Sequence, residues 1–148
     1  MIERKKITLN DKAVFASYIQ NQINSTYNFT NMFMWSGNSA ITYAELSGCL
    51  ALFFQFGKQP PMAYPIGDGD RAQAVADICK YLAGEGVRPV FRNLSQSMKE
   101  ELEQLFPNTF EFIYDRDNAD YVYEVEKLIT LSGKKLHAKR NHWNYFKN

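Results

Sequence analysis

The side chains most able to do chemistry crowd into residues 133 to 148, Gly-Lys-Lys-Leu-His-Ala-Lys-Arg-Asn-His-Trp-Asn-Tyr-Phe-Lys-Asn. Lys134, Lys135, Lys139, Arg140 and Lys147 make this tail +5 with no acid, whereas the whole chain is only +1, so the remainder carries −4. Written as a helix, Leu136, Trp143 and Phe146 share one side at i, i+7 and i+10, and Lys135, Lys139 and His142 form a cationic stripe beside it. Such a helix could hold phosphate or carboxylate groups while its aromatics anchor it, and RNA or a lipid headgroup would supply the anion. The same residues also suit a plain basic C-terminal helix favoured by its own dipole.

Other reactive residue types lack the spacing their chemistry needs. His137 and His142 are five apart, off the shared face of an i, i+4 metal pair, and no Cys, Asp or Glu lies nearby, so no metal is expected. Asp115, Asp117 and Asp120 resemble the start of a calcium loop, but Ala119 takes the third ligand position and no closing Glu follows, which leaves turn and capping roles. Gly67-Asp68-Gly69-Asp70 precedes a helix as phosphate-cradling loops do, yet its two carboxylates would repel a phosphate. A tight turn with an Asp cap is the better reading. No Ser-His-Asp or Cys-His arrangement stands out, and Cys49 and Cys79 each sit in an apolar run as free thiols suited to a reducing compartment. The Phe29 to Trp35 cluster of aromatics and methionines reads as core rather than as a ligand platform.

Elements must hold these groups in place. Val14, Phe15, Tyr18, Ile19 and Ile23 mark one face of a first helix, with Asn10 placed to cap it and Asp11 in the first turn. A short second helix follows over the aromatic cluster. Ile41 to Leu46 and Cys49 to Phe56 flank Ser47-Gly48 as an antiparallel hairpin ended by Pro60-Pro61. Met62 to Ile66 is a third apolar segment, and Ala72, Val75, Ile78, Cys79 and Leu82 predict a helix stopped by Gly84 and Gly86. Val87 to Phe91 and Thr109 to Tyr114 read as strands around a helix opened by a Ser97–Glu100 capping box and closed by Pro107. A hairpin followed by alternating helices and strands predicts an α+β domain with a mixed, mostly antiparallel sheet flanked by helices.

Composition sets the outer bounds. With 45% hydrophobic and 22% charged residues, 148 residues make one globular domain, neither disordered nor fibrous, that needs no metal or disulfide to fold. The net charge of +1 gives no global attraction to nucleic acid or membrane. The basic N-terminus lacks the apolar stretch of a secretory signal, and no apolar run approaches a membrane span, so a cytoplasmic protein with no transmembrane segment is expected.

Asp120-Tyr121-Val122-Tyr123, Leu128, Leu131, Ser132-Gly133-Lys134-Lys135, His137, Lys139-Arg140-Asn141 and Phe146 resemble the signature of the bacterial family related to the C-terminal domain of phosphatidylglycerol lysyltransferase. Phe29-Thr30-Asn31 with Trp35, and Tyr64-Pro65 with Gly67, resemble that family's first half, so the likeness runs along nearly the whole chain. The resemblance implies an acyl-CoA N-acyltransferase-like fold of the GNAT superfamily, carried twice in tandem by family members and similar to the Fem aminoacyltransferases. Residues 1–132 would be one GNAT-like domain, and residues 133–148 the basic amphipathic helix that links it to a second one, absent here. The implied reaction is transfer of an aminoacyl group from aminoacyl-tRNA to a lipid headgroup or another amine or hydroxyl acceptor. The 148-residue half alone would be inactive, because family activity is placed with the second domain and the cleft between the two. No cofactor is expected, since a pyrophosphate-binding loop for acetyl-CoA has only the acidic Gly67 to Asp70 turn as counterpart.

On the matching positions, Lys135, Lys139 and Arg140 would contact a phosphate or acyl carboxylate, Arg140 in bidentate fashion. Asn141 would orient a donor or acceptor. Tyr121 and Tyr123 would hydrogen-bond or stack with a base, although aromatics at i, i+2 equally suit a half-buried strand. No catalytic residue is assigned. The rival reading is a non-catalytic binding or homo-oligomerising module, in which Leu136, Trp143 and Phe146 pack on a second copy or another partner.

Overall fold

The computed structural model describes residues 2–19, 25–37, 40–55, 62–119 and 121–147. The chain divides into two compact units, Met1–Asn118 and Ala119–Asn148. The first unit is α+β. Five strands lie in the order β1 (Lys5–Lys6), β2 (Ile41–Leu46), β3 (Cys49–Phe54), β4 (Met62–Ala63) and β5 (Phe91–Arg92). Every neighbouring pair is antiparallel except β4 and β5, so the sheet is mixed and mostly antiparallel. Four helices of this unit, α1 (Lys12–Tyr18), α2 (Phe29–Trp35), α3 (Arg71–Gly84) and α4 (Gln96–Leu105), pack on it. The second unit holds α5 (Val125–Thr130) and α6 (His137–Lys147).

The central hairpin explains the core. β2 and β3 pair from Ile41↔Phe54 to Leu46↔Cys49 around Ser47-Gly48, as the sequence pattern required. Because side chains alternate along a strand, Leu50 and Leu52 of β3 enter one buried cluster with Phe15, Tyr27, Met32 and Leu102, while Ala51 and Phe53 enter another with Ile78 and Leu82 of α3. Both faces of β3 are therefore covered by helices, which is why its sequence is an unbroken apolar run rather than an alternation.

The Gly67–Asp70 turn is fixed by contact with that hairpin. The Asp70 peptide N–H donates to Ser47 O at 2.8 Å, and a Cβ on Gly69 would lie 2.2 Å from the same oxygen, so only glycine fits. Asp70 caps α3, its carboxylate accepting from the Gln73 N–H at 2.9 Å.

Several expectations are corrected. Thr8 rather than Asn10 starts the first helical segment, its backbone N–H and hydroxyl both donating to Asp11 Oδ2 at 2.7 Å. Ser95 rather than Ser97 caps α4, because the helix begins at Gln96 and places the Ser95 hydroxyl oxygen 3.3 Å from the Met98 N–H. In the Val87–Phe91 segment only Phe91 belongs to a strand: Pro89 has no N–H, and the Val87 N–H is turned back onto Leu82 O at 2.8 Å. Thr109–Tyr114 forms no strand; Phe110 and Phe112 pack against the core, but no strand pairs with the segment among the described residues. Ile23, Asn38, Phe56, Pro60, Pro61 and Asp120 lie outside the described residues.

Candidate functional site

The second unit is built around a turn. Helix α5 ends at Leu131 in the left-handed conformation (φ 48°), and Gly133 follows at φ 88°, a value that suits glycine. The chain then winds through a 3-10 turn, Lys134–Leu136, directly into α6. Arg140, one turn into α6, reaches back so that its Nη1 donates to Leu131 O and, at 3.0 Å, to Gly133 O. Two carbonyl groups of the turn are thereby drawn toward the guanidinium.

The opposite consequence falls on the donors. Leu136 N–H begins the helical pattern by donating to Gly133 O at 3.3 Å, and Ser132 N–H is taken by the Thr130 hydroxyl at 3.3 Å. The peptide N–H groups of Gly133, Lys134 and Lys135 have no protein acceptor among the described residues, and no side chain caps them. Unsatisfied donors at a helix start carry the positive end of the helix dipole. Lys134 and Lys135 add two full charges at that same end.

Lys135, Lys139 and Asn141 are exposed, and Lys139 lies one turn beyond Lys135. Arg140 is half-buried and occupied in part by the turn, so it positions the loop as well as adding charge. Along α6 the Trp143 and Phe146 rings stack with centroids 6.5 Å apart, and Lys147 Nζ stands 5.4 Å from the Trp143 ring centre. Tyr121 and Tyr123 are exposed and stacked on each other, centroids 6.4 Å apart and planes 21° apart. They form no strand, and their shared side follows from the i, i+2 spacing. Among the described residues none of this unit is buried. His137 and His142 are exposed, and among the described residues no group of His, Cys, Asp and Glu could hold a metal ion.

A second polar group, in the first unit, could not be read from spacing because its members lie far apart in the chain. Arg71, at the start of α3, bonds Gly67 O at 2.7 Å and Glu101 of α4 at 2.6 Å. Tyr64 lies beside them, fully buried with its hydroxyl lacking a partner in hydrogen-bond geometry; burial, and then the Glu101 charge, push its ionisation up. Burial likewise raises the Cys49 thiol, with Arg71 partly offsetting it. Arg71 ties the Gly67–Asp70 turn and the start of α3 to α4.

The chain is a member of the phosphatidylglycerol lysyltransferase C-terminal family, whose pattern it matches over residues 19–148. It is also similar to the crystal structure of a conserved protein of unknown function from Bacteroides thetaiotaomicron, at 31% identity and a TM-score of 0.85. That match covers 100% of this chain and 51% of the other, so the chain spans about half the length of its structural relative. No curated protein matches it. Among the described residues no helix is long and apolar enough to cross a membrane.

Proposed function

We propose that this chain is a GNAT-like domain of an aminoacyltransferase-related protein whose turn and basic helix bind the phosphate of an anionic donor or acceptor. In the complete two-domain form the reaction is aminoacyl transfer from aminoacyl-tRNA to a lipid headgroup or another amine or hydroxyl acceptor. Residues 1–132 serve as the GNAT-like domain, and residues 133–148 link it to a second one. The carrying observation is the Gly133–Lys135 turn ahead of α6, where three successive peptide N–H groups have no acceptor among the described residues, two successive lysines are exposed, and Arg140 binds the Leu131 and Gly133 carbonyls. Such a site takes a phosphate oxygen by the same physics that seats phosphates at other helix starts. Lys139 and Asn141 extend the contact, and the Tyr121–Tyr123 stack offers a surface for a base.

Binding to total tRNA and to phosphatidylglycerol vesicles, measured against salt, tests this reading. A phosphate contact gives a steep log–log salt slope, and removing one Lys contact should reduce it by about 0.7 to 0.9. Lys135→Ala with Lys139→Ala should therefore flatten the slope and weaken binding to whichever ligand is the partner. Binding to neither ligand, or binding indifferent to salt and to the double variant, rejects it. A second reading, a non-catalytic assembly module, is favoured by one observation: among the described residues the second unit buries none, and Val122, Ile129 and Phe146 are exposed. Under it, Trp143→Ala and Phe146→Ala abolish association with a second copy or another partner at any salt concentration.

A further inference from the structure

Phe110 to Tyr114 has the side-chain alternation of a strand without the partner a strand needs. Phe110 and Phe112 are half-buried, Phe110 set edge-on to Phe91 and Phe106 at 5.9 Å each, and the Lys99 ammonium stands 5.2 Å from the Phe112 ring centre. Glu111 is exposed, Ile113 is 82% exposed and Tyr114 86%. Among the described residues none of the peptide N–H or C=O groups from Phe110 to Tyr114 has a hydrogen-bond partner in the protein. A row of free backbone groups is a template for strand pairing, which natural edges blunt with Lys, Pro or a bulge. Phe110-Glu111-Phe112-Ile113-Tyr114 contains neither Lys nor Pro, and no glycine to bend it.

We propose that this segment is a self-association edge, pairing antiparallel with the same segment of a second copy across a two-fold axis at Phe112. The sequence is complementary to itself in that register. Phe110 falls opposite Tyr114, Glu111 opposite Ile113, Asp115 opposite Thr109 and Arg116 opposite Asn108, so no like charges face each other. A register shifted by two residues, centred on Glu111, would put that carboxylate against its own copy, which strand pairs disfavour. Pairing on Phe112 satisfies the free backbone groups along one edge of the segment, sets Ile113 and Tyr114 against the partner strand, and makes an isologous, two-fold contact. The proposal is independent of the anion-binding reading, which uses other residues.

Sedimentation equilibrium of the 148-residue chain under reducing conditions provides the test, with two variants at one exposed position. The wild type should dimerise below about 0.1 mM. Ile113→Glu sets a carboxylate against Glu111 at two symmetry-related places and should weaken the dimer by about tenfold. Ile113→Lys sets an ammonium there and should retain it. Circular dichroism verifies that both variants fold. A wild type that stays monomeric overturns the proposal, and so does an equal loss in both variants, which would mark a greasy patch without strand register. A dimer abolished by Trp143→Ala but indifferent to Ile113→Glu overturns it too.

Discussion

Arg71 Nε stands 2.6 Å from Glu101 Oε1, while Nη1 of the same guanidinium bonds Gly67 O at 2.7 Å. One side chain therefore ties the start of α3 to α4 and to the turn between β4 and α3. The pair is about one-third exposed, so solvent screening reduces its Coulomb share and the directed hydrogen bonds carry most of its effect. Arg71→Ala should lower stability by about 1 to 2 kcal/mol, and Arg71→Lys should recover only part, because an ammonium cannot fork between the two acceptors. Urea unfolding of both variants measures the difference.

Two glycines should respond in opposite directions. Gly69→Ala drives a methyl group into Ser47 O and the Gly48 backbone, where neither can yield without opening the hairpin turn, and a loss above about 3 kcal/mol or failure to fold is expected. Gly84→Ala meets nothing within 4 Å at the end of α3 and should gain up to about 1 kcal/mol from a less flexible unfolded chain. Equal melting temperatures would contradict both.

Buried hydroxyls make a similar contrast. Thr42 Oγ1 has no partner in a buried strand, so Thr42→Val, the same shape without the hydroxyl, should stabilise by about 1 kcal/mol. The Tyr27 hydroxyl donates to Tyr64 O at 2.9 Å inside the core, and Tyr27→Phe should cost about 1 to 2 kcal/mol by orphaning that carbonyl. Paired chemical denaturation curves check the two signs together.

The Asp11–Tyr43 contact of 2.9 Å sets two pH limits. Burial works against the Asp11 charge, but the hydrogen bonds from Thr8 and from Tyr43, with Lys5, outweigh it and hold the carboxyl below its usual 3.8. Its contribution is present above that value and is lost as pH falls through the lower folded value. Burial, and then the Asp11 acceptor, push Tyr43 up to about 12 from 10.0. A raised phenol contributes fully below pH 10 and loses that contribution as pH rises toward 12. Tyr43→Phe should remove part of the alkaline loss, and Asp11→Asn part of the acid loss, in melting temperatures taken across pH.

Arg140→Lys keeps the charge of α6 but cannot span Leu131 O and Gly133 O as the guanidinium does. Amide exchange at Leu136, whose N–H bonds Gly133 O, should accelerate, and anion binding should weaken while the salt slope changes less than in the Lys135→Ala, Lys139→Ala variant. Unchanged exchange would show that Arg140 does not hold the turn.

The local outlines of this protein are written in local residue pattern. The Ile41–Phe54 hairpin, the apolar face of α3 and the positive tail depend on neighbours two to four residues apart, and the Asp120–Phe146 signature identified the family for the same reason. Arg71 meeting Glu101 and Gly69 pressed on Ser47 depend on how the chain folds back, which pattern does not encode. Thr109–Tyr114 marks the boundary between the two: its alternation predisposes it to be a strand, but a strand exists only when another backbone supplies its hydrogen bonds, and that is a property of the tertiary structure alone.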